Sequence, residues 1–460
     1  MPLIQPLLDC SYPEAARADG VFLYDIEGKR YLDGCSGAVA ASIGHGVPEI
    51  VEAMQEQASK LAFSYRLQFT NGPAEQLAAE LGDAAPGDLD WVFFVNSGSE
   101  AMETALKIAL QFWEEQDRKD KSGIISRSLS YHGITLGALS MSGHEARRRR
   151  FNSLLHDFPI APPPYCYRCP LGKTYPDCDL ACATELETSI RRMGPEHLAA
   201  FVAEPIIGAA GGAIVPPDGY FQRVREICDR YDLLLIIDDV MTGIGRTGKM
   251  YGIEHWDVVP DIISVGKGLS AGYSPLAATL VSDRVMQTIR DHSGVVMSGH
   301  TYSGNPLSCA VGLAVLQYLR DHELVERANR VGVTLGERLR ALAERHPIIG
   351  DVRGVGFLWG LELVEDAETH TPYSAEMEIS KILRDVAQDL GLLVYPALTG
   401  ADVRPGDAVM IAPPLTINGH EMDLMFELLE ESLNALEEAL VASGSVSTAL
   451  QSEGHEIYGR

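Results

Sequence analysis

The sequence lacks long apolar runs: stretches such as Leu233–Ile237 are far shorter than the roughly 20 residues a bilayer-spanning helix needs. The start, Met1 to Cys10, has no cluster of positive charge and is interrupted by Pro2 and Pro6. It does not read as a secretion signal, so the expected compartment is the cytoplasm. Basic residues are scarce, 37 Lys and Arg against 64 Asp and Glu, for a net charge of -27. A field of that sign repels phosphate backbones and anionic lipid, which argues against nucleic-acid and membrane partners. Eight cysteines in 460 residues are too few for a disulfide scaffold, and most are expected as reduced thiols. There is no internal repeat and no low-complexity tract.

With 46% hydrophobic residues in 460, the chain is long enough for a large domain with a smaller companion. Residues 21–33 read as a hairpin turning at Glu27-Gly28, and a helical pattern follows from Glu49 to Leu61. Between Gly72 and Val281, apolar runs alternate with amphipathic stretches. The predicted strands are Trp91–Val95, Gly123–Ile125, Ala200–Ala203, Leu233–Ile237, Ile262–Val265 and Ala277–Val281. The predicted helices are Ala101–Glu115, Ala183–Met193 and Tyr220–Tyr231. Such alternation points to an α/β sheet, mostly parallel and covered on both faces. Residues 306–345 read as a long helix broken near Glu323. Strands are expected at 354–364 and 391–395, helices at Glu376–Leu390 and 420–441, and a mobile polar tail from Ser443.

Four places can carry chemistry. Asn96-Ser97-Gly98-Ser99-Glu100-Ala101 joins a strand to a helix with Met102, Leu106, Ala109 and Trp113 on one face. Small residues at a helix start leave amides open beside a positive dipole end, which suits a phosphate; a plain Ser N-cap is the alternative. Leu233–Ile237 runs into Asp238-Asp239-Val240. A carboxylate at a strand's carboxyl end stands where α/β sheets bind ligands and can pair with a cationic ring nitrogen; a loop-capping Asp is the plainer use. Ile262–Val265 runs into Gly266-Lys267-Gly268. A Lys kept from bulk water there can act as a nucleophile, and flanking glycines admit a bulky ligand; taken alone, it reads as an exposed loop lysine. Gly299–Pro306 is rich in hydroxyls and turn formers, fit to cap the next helix or to reach a phosphate.

Gly243, Gly245 and Gly248 match the spacing of a dinucleotide site and so of a nicotinamide dehydrogenase. Lys249-Met250-Tyr251-Gly252 follows, however, where an apolar-periodic helix should begin, so the segment reads as a loop.

In this order the blocks resemble the class III aminotransferases of the fold-type I pyridoxal-phosphate enzymes, over about residues 20–440. The most specific part runs from Leu235 and Asp238 through Thr242-Gly243 and Gly245-Arg246-Thr247-Gly248 to Gly266-Lys267-Gly268. The resemblance implies an α/β large domain, residues 71–329, on a mostly parallel seven-stranded sheet. A smaller α+β domain would come from both termini, 1–70 and 330–460. It implies pyridoxal phosphate as cofactor. The activity implied is ping-pong transfer of an amino group from an amine or an ω- or β-amino acid to a keto acid such as pyruvate or 2-oxoglutarate. Racemisation, amino-group migration and decarboxylating transamination on the same scaffold stay open.

The resemblance also assigns roles. Lys267 matches the Schiff-base lysine and the base for proton transfer, and Asp238 the partner of the pyridine nitrogen. Val240 would pack under the ring and Tyr131 would stack on it. Gly98 and Ser99 match the phosphate block, and Glu204 the acid near the ring hydroxyl. Thr301 matches a threonine that reaches the phosphate of a neighbouring subunit, which implies a homodimer with shared sites, or a dimer of dimers. The family's Asp-Glu-Val stands here as Asp238-Asp239-Val240, which puts the second acid's role in doubt. On the substrate side, Arg404, ahead of Ala412-Pro413-Pro414-Leu415, would anchor a carboxylate, with Arg66 as second candidate. Val39 takes a place where several relatives carry a large aromatic.

Cys166, Cys169, Cys178 and Cys182 give C-x2-C-x8-C-x3-C. That spacing suits a closed tetrahedral zinc site and thus a zinc-stabilised scaffold; free thiols or a local disulfide are the alternatives. The family needs no metal, and no catalytic metal is expected.

Overall fold

The computed structural model describes residues 3–6, 8, 11–399 and 406–442. Arg404 and the tail from Ser443 lie outside them.

Three strands open the chain, β1 (Ala15–Asp19), β2 (Phe22–Asp25) and β3 (Arg30–Asp33), paired antiparallel. The β2–β3 turn forms where Glu27-Gly28 predicts it. Gly28 sits at φ +86, a left-handed conformation glycine takes without steric cost. The Asp25 carboxylate accepts the Glu27 and Lys29 amides at 3.0 and 2.9 Å.

The central sheet follows: β4 (Trp91–Val95), β5 (Gly123–Arg127), β6 (Ile160–Ala161), β7 (Leu198–Ala203), β8 (Leu234–Asp238), β9 (Ile262–Val265) and β10 (Ala277–Val281). Its order is β4-β10-β9-β8-β7-β5-β6. Only β10 runs against its neighbours; the other pairings are parallel. Every residue of β7, β8 and β9 is buried, as expected for strands covered on both faces. Alternate residues serve two cores. Leu235 and Ile237 join a cluster with Leu186, Ile190, Val224 and Ile227. Leu234 and Ile236 join another with Met102, Ala109, Phe112 and Trp113. The period of two in a strand places one helix layer on each side.

The predicted long helix is two, Pro306–Asp321 and Leu324–Ala343. Glu323, at φ +48 between them, makes the break where the sequence suggests it. The remaining strands are β11 (Ile349–Val355), β12 (Leu358–Asp366), β13 (Thr371–Pro372), β14 (Leu392–Leu393), β15 (Tyr395–Thr399) and β16 (Gly406–Ile411). The single strand expected at 354–364 is instead the β11–β12 hairpin, turning at Gly356 with φ +61. The strand expected at 391–395 splits into β14, which pairs with β3, and β15, which pairs with β16. Among the described residues, no helix is long and apolar enough to cross a membrane.

Candidate active site

The parallel strands aim their carboxyl ends at one place, where open α/β sheets bind ligands. β8 ends on Asp238, β9 leads into Lys267, β7 into Glu204 and β4 into Gly98. A cavity of about 200 Å³ lies there. Gly98, Ser99, Tyr131, Glu204, Asp238, Val240 and Lys267, far apart in sequence, all border it.

Lys267 opens a short 3-10 turn, Lys267–Leu269, with φ +45. A non-glycine residue in that conformation is strained and persists when packing fixes it, a pattern common at functional sites. Burial pulls its amine below the ordinary lysine range, against the opposing fields of Asp238 and Glu204. A lysine so placed reaches its neutral, nucleophilic form at lower pH than a solvated one.

Asp238 is buried, with its Oδ2 2.8 Å from Nδ1 of His132. Its Oδ1 accepts the Val240 amide at 3.2 Å. Sequence reasoning passed over His132 for its neighbour Tyr131. The signal lay in the same Tyr131-His132-Gly133 block, a polar ring between two residues that border the cavity. Glu204 accepts the amides of Tyr131 and Gly208, both at 3.3 Å. Burial raises its carboxyl above the ordinary range, with His132 and Arg127 opposing.

Ser97 caps the helix Gly98–Glu114 by accepting the Glu100 amide at 3.2 Å. Gly98 and Ser99 are its first two residues, whose amides have no intrahelical acceptor. Ser99 Oγ accepts the Ile134 amide at 3.0 Å and so ties the Tyr131 loop to the helix start. A Cβ on Gly98 would lie 2.8 Å from Val240 Cγ1, and one on Gly266 3.3 Å from the same atom. Val240 is thus wedged between two glycines. The arrangement fits pyridoxal phosphate in kind: open helix-start amides for a phosphate, a buried carboxylate for a cationic ring nitrogen, an aromatic and a branched aliphatic for a flat ring, and a lysine whose amine burial pulls down for an aldehyde.

The second acid points elsewhere. Asp239 is fully buried, accepts the Gly252 amide at 2.7 Å and bonds the Thr242 hydroxyl. It organises the glycine loop and does not border the cavity. Burial raises its carboxyl to about 7. The loop's Arg246 is also buried; it donates to Pro413 O at 2.6 Å and Ser36 Oγ at 3.1 Å. Burial pulls its guanidinium down to about 10.

Three other predicted residues do not border this cavity. Val39 is buried in the large core at φ +60. Arg66 donates to Ser298 O at 2.6 Å and lies 5.2 Å over the Phe93 ring. Thr301 is exposed in a turn. Cys166, Cys169, Cys178 and Cys182 are free thiols around one void of about 20 Å³. Among the described residues, no group of three or more His, Cys, Asp or Glu is placed to hold a metal ion. Tyr165 of that loop shares a small core with Leu129 and Ile207, against which Tyr131 packs.

The glycine loop Gly243–Gly248 is followed by a 3-10 turn, Gly252–Trp256, and no dinucleotide-type helix starts there. The family model for aminotransferase class III matches residues 11–433. The chain is 50% identical over 438 residues to an uncharacterized aminotransferase, YodT, of Bacillus subtilis, covering 95% of this chain and 98% of that one. A thermostable (S)-enantioselective omega-transaminase from Thermomicrobium roseum superposes with a TM-score of 0.86 at 37% identity, over 92% and 93% of the two chains. The omega transaminase of Pseudomonas jessenii, solved in complex with PMP, gives a TM-score of 0.88 at 33% identity over 94% of each chain. A match of that extent, on a site of this chemistry, makes the chain a member of the class III aminotransferases, enzymes that use pyridoxal phosphate to transfer amino groups.

Proposed function

We propose that the enzyme moves the amino group of an amine or an ω- or β-amino acid, by way of the cofactor held at Lys267, to a keto acid such as pyruvate or 2-oxoglutarate. The observation that carries this reading is the convergence of Lys267, Asp238 and the Gly98–Ser99 helix start on one cavity. Both solved neighbours described above are omega-transaminases, which supports the donor class.

Pyridoxal phosphate, when bound, supplies an aldehyde that takes up the amino group and a ring that draws electron density from the substrate carbon. The chain's residues do the rest. The Gly98 and Ser99 amides would hold the phosphate at the positive end of their helix. Tyr131 and Val240 would confine the ring. Asp238 would keep the ring nitrogen protonated through a charge-assisted hydrogen bond, and His132 orients Asp238. Glu204 would be the acid near the ring hydroxyl. Lys267 Nζ, once free, would take the proton from the substrate carbon and deliver it to the carbon of the former aldehyde within the same half-reaction, and the second half-reaction would run the two transfers in reverse. Separate amine-in and keto-acid-in halves give ping-pong kinetics.

The same reading takes the enzyme as a homodimer, with Thr301 reaching the neighbouring subunit's phosphate. Support comes from exposed apolar residues around Thr301. Phe63 and Tyr302 meet edge to face at 5.8 Å, and both are exposed, as are Leu67, Phe69 and Met297. Several large apolar side chains left exposed near one another favour a contact face. The β3–β14 pairing supports a small domain from both termini, 1–70 and 330–460, beside a large one at 71–329. Reduced cysteines support a cytoplasmic setting.

The test is a panel of amine donors against pyruvate and 2-oxoglutarate, with the visible band of the purified protein followed throughout. Stoichiometric keto-acid consumption is expected. Conversion of an amine without any acceptor would overturn the transamination reading in favour of racemisation or migration. Light scattering tests the dimer; a monomer that is fully active would overturn the shared site.

A further inference from the structure

Of the two arginines expected to anchor a carboxylate, Arg404 lies outside the described residues and Arg66 is engaged by Ser298 O. Arg147 is a further cation beside the site, in contact with Tyr131 and not itself bordering the cavity. It belongs to the short helix Glu145–Arg148, directly after the loop that carries Tyr131. Its Cζ lies 4.6 Å over the Tyr131 ring and its Nη1 3.4 Å from the Tyr131 hydroxyl. Its charge is also felt at Tyr395, at the start of β15. The phenol that holds the guanidinium, Tyr131, borders the cavity. Neighbouring Arg148 differs: its Nη1 is spent on the carbonyls of Leu139, Ser140 and Ser142 at 2.9, 2.8 and 2.7 Å. Among the described residues, Arg147 has no carboxylate within ion-pair distance.

An arginine held by a single phenol has N–H donors left over. Its field is felt inside the site, where it favours the neutral form of the Lys267 amine. Stacking on Tyr131 removes rotamer freedom in advance, so less is lost when a ligand binds. A planar fork so prepared suits the two oxygens of a carboxylate.

We propose that Arg147, stacked on the outer side of the cavity-lining Tyr131, anchors the carboxylate of acid substrates, the keto-acid acceptor and any ω- or β-amino acid donor. This rests on the transamination reading above and adds the group that distinguishes acids from simple amines and aldehydes. Arg147 binds substrate and moves no proton.

The experiment compares wild type, Arg147→Ala and Arg147→Lys as holoenzymes, with a keto acid and with an aldehyde of similar size as acceptors. Arg147→Ala is expected to lower kcat/KM for the keto acid by about 10- to 100-fold more than for the aldehyde. The loss should lie in KM, with Arg147→Lys between the two because it keeps the charge and loses the fork. Binding of a non-reacting carboxylate such as glutarate, followed by calorimetry, should weaken in parallel. Equal losses on the two acceptors, or an unchanged glutarate affinity, would overturn the assignment of Arg147 alone. A wild type that transfers no amino group to either acceptor would instead overturn the transamination reading.

Discussion

His132 Nδ1 lies 2.8 Å from Asp238 Oδ2, with side chains 0% and 6% exposed. A carboxylate can only accept, so Nδ1 carries the proton. The other nitrogen, Nε2, is buried with no partner among the described residues. The ring is thus fixed by one strong contact, and that contact also fixes the face Asp238 shows to the cavity.

Removing the imidazole would leave a buried carboxylate short of a donor. His132→Ala is expected to weaken cofactor affinity by about 10- to 100-fold, the worth of one hydrogen bond to a charged group. His132→Asn, which returns an N–H near the same place, should recover part of it. The measurements are a pyridoxal-phosphate titration by absorbance and the pH at which the visible band changes. A pH midpoint that stays put in His132→Ala would limit the residue to a structural role.

How much of this was legible in the sequence follows from distance along the chain. Strands β4, β9 and β10 have the predicted bounds because each is a short apolar run closed by turn formers or charge. The helix break at Glu323 was legible as a lapse in apolar period. The Cys166–Cys182 loop was not, because spacing alone cannot say whether four thiols converge. His132 was missed because its partner is 106 positions away, and no local pattern links a ring in one loop to a carboxylate on another strand. Asp239 was doubtful for a similar reason: adjacent acids at a strand end point to opposite sides, and only burial shows which one faces the cavity. Arg147 carries no sequence signal, since it stands in a run of four arginines, Arg147 to Arg150. Only stacking on Tyr131 separates it from the rest.

Lys267 is expected to be the residue covalently labelled when borohydride bleaches the visible band. Lys267→Ala should lose about 10²- to 10⁴-fold in turnover, the usual share of a positioned base. Pyridoxal phosphate should still bind to the variant, reversibly. Peptide mass mapping reads both results; a label at another lysine in the wild type would refute the assignment.

Gly98 and Val240 predict a pairwise effect. Gly98→Ala places a Cβ 2.8 Å from Val240 Cγ1, closer than carbon atoms pack, so either the helix start or the valine must shift. Cofactor affinity is expected to fall in Gly98→Ala and to return in large part in Gly98→Ala/Val240→Ala, where both γ-methyls are gone. Contacting residues couple in this non-additive way. Additive losses would mean that the two sites act independently and that the wedge does not position the phosphate.

Asp239 predicts a pH dependence of stability. Its folded-state pKa of about 7 lies above its unfolded value near 4, so the folded state binds more protons between them. The contribution is full below the unfolded pKa and is lost as pH rises through about 7. The wild-type melting temperature should therefore fall between pH 5 and pH 8 by a share that Asp239→Asn removes. The asparagine can still accept the Gly252 amide through Oδ1 and give Nδ2–H to the Thr242 hydroxyl, so the loop keeps both contacts. At pH 8 the variant should melt at least about 2 °C higher relative to wild type than it does at pH 5. Parallel melting curves across that range would show that Asp239 keeps the same charge in both states, and burial would then not govern its proton.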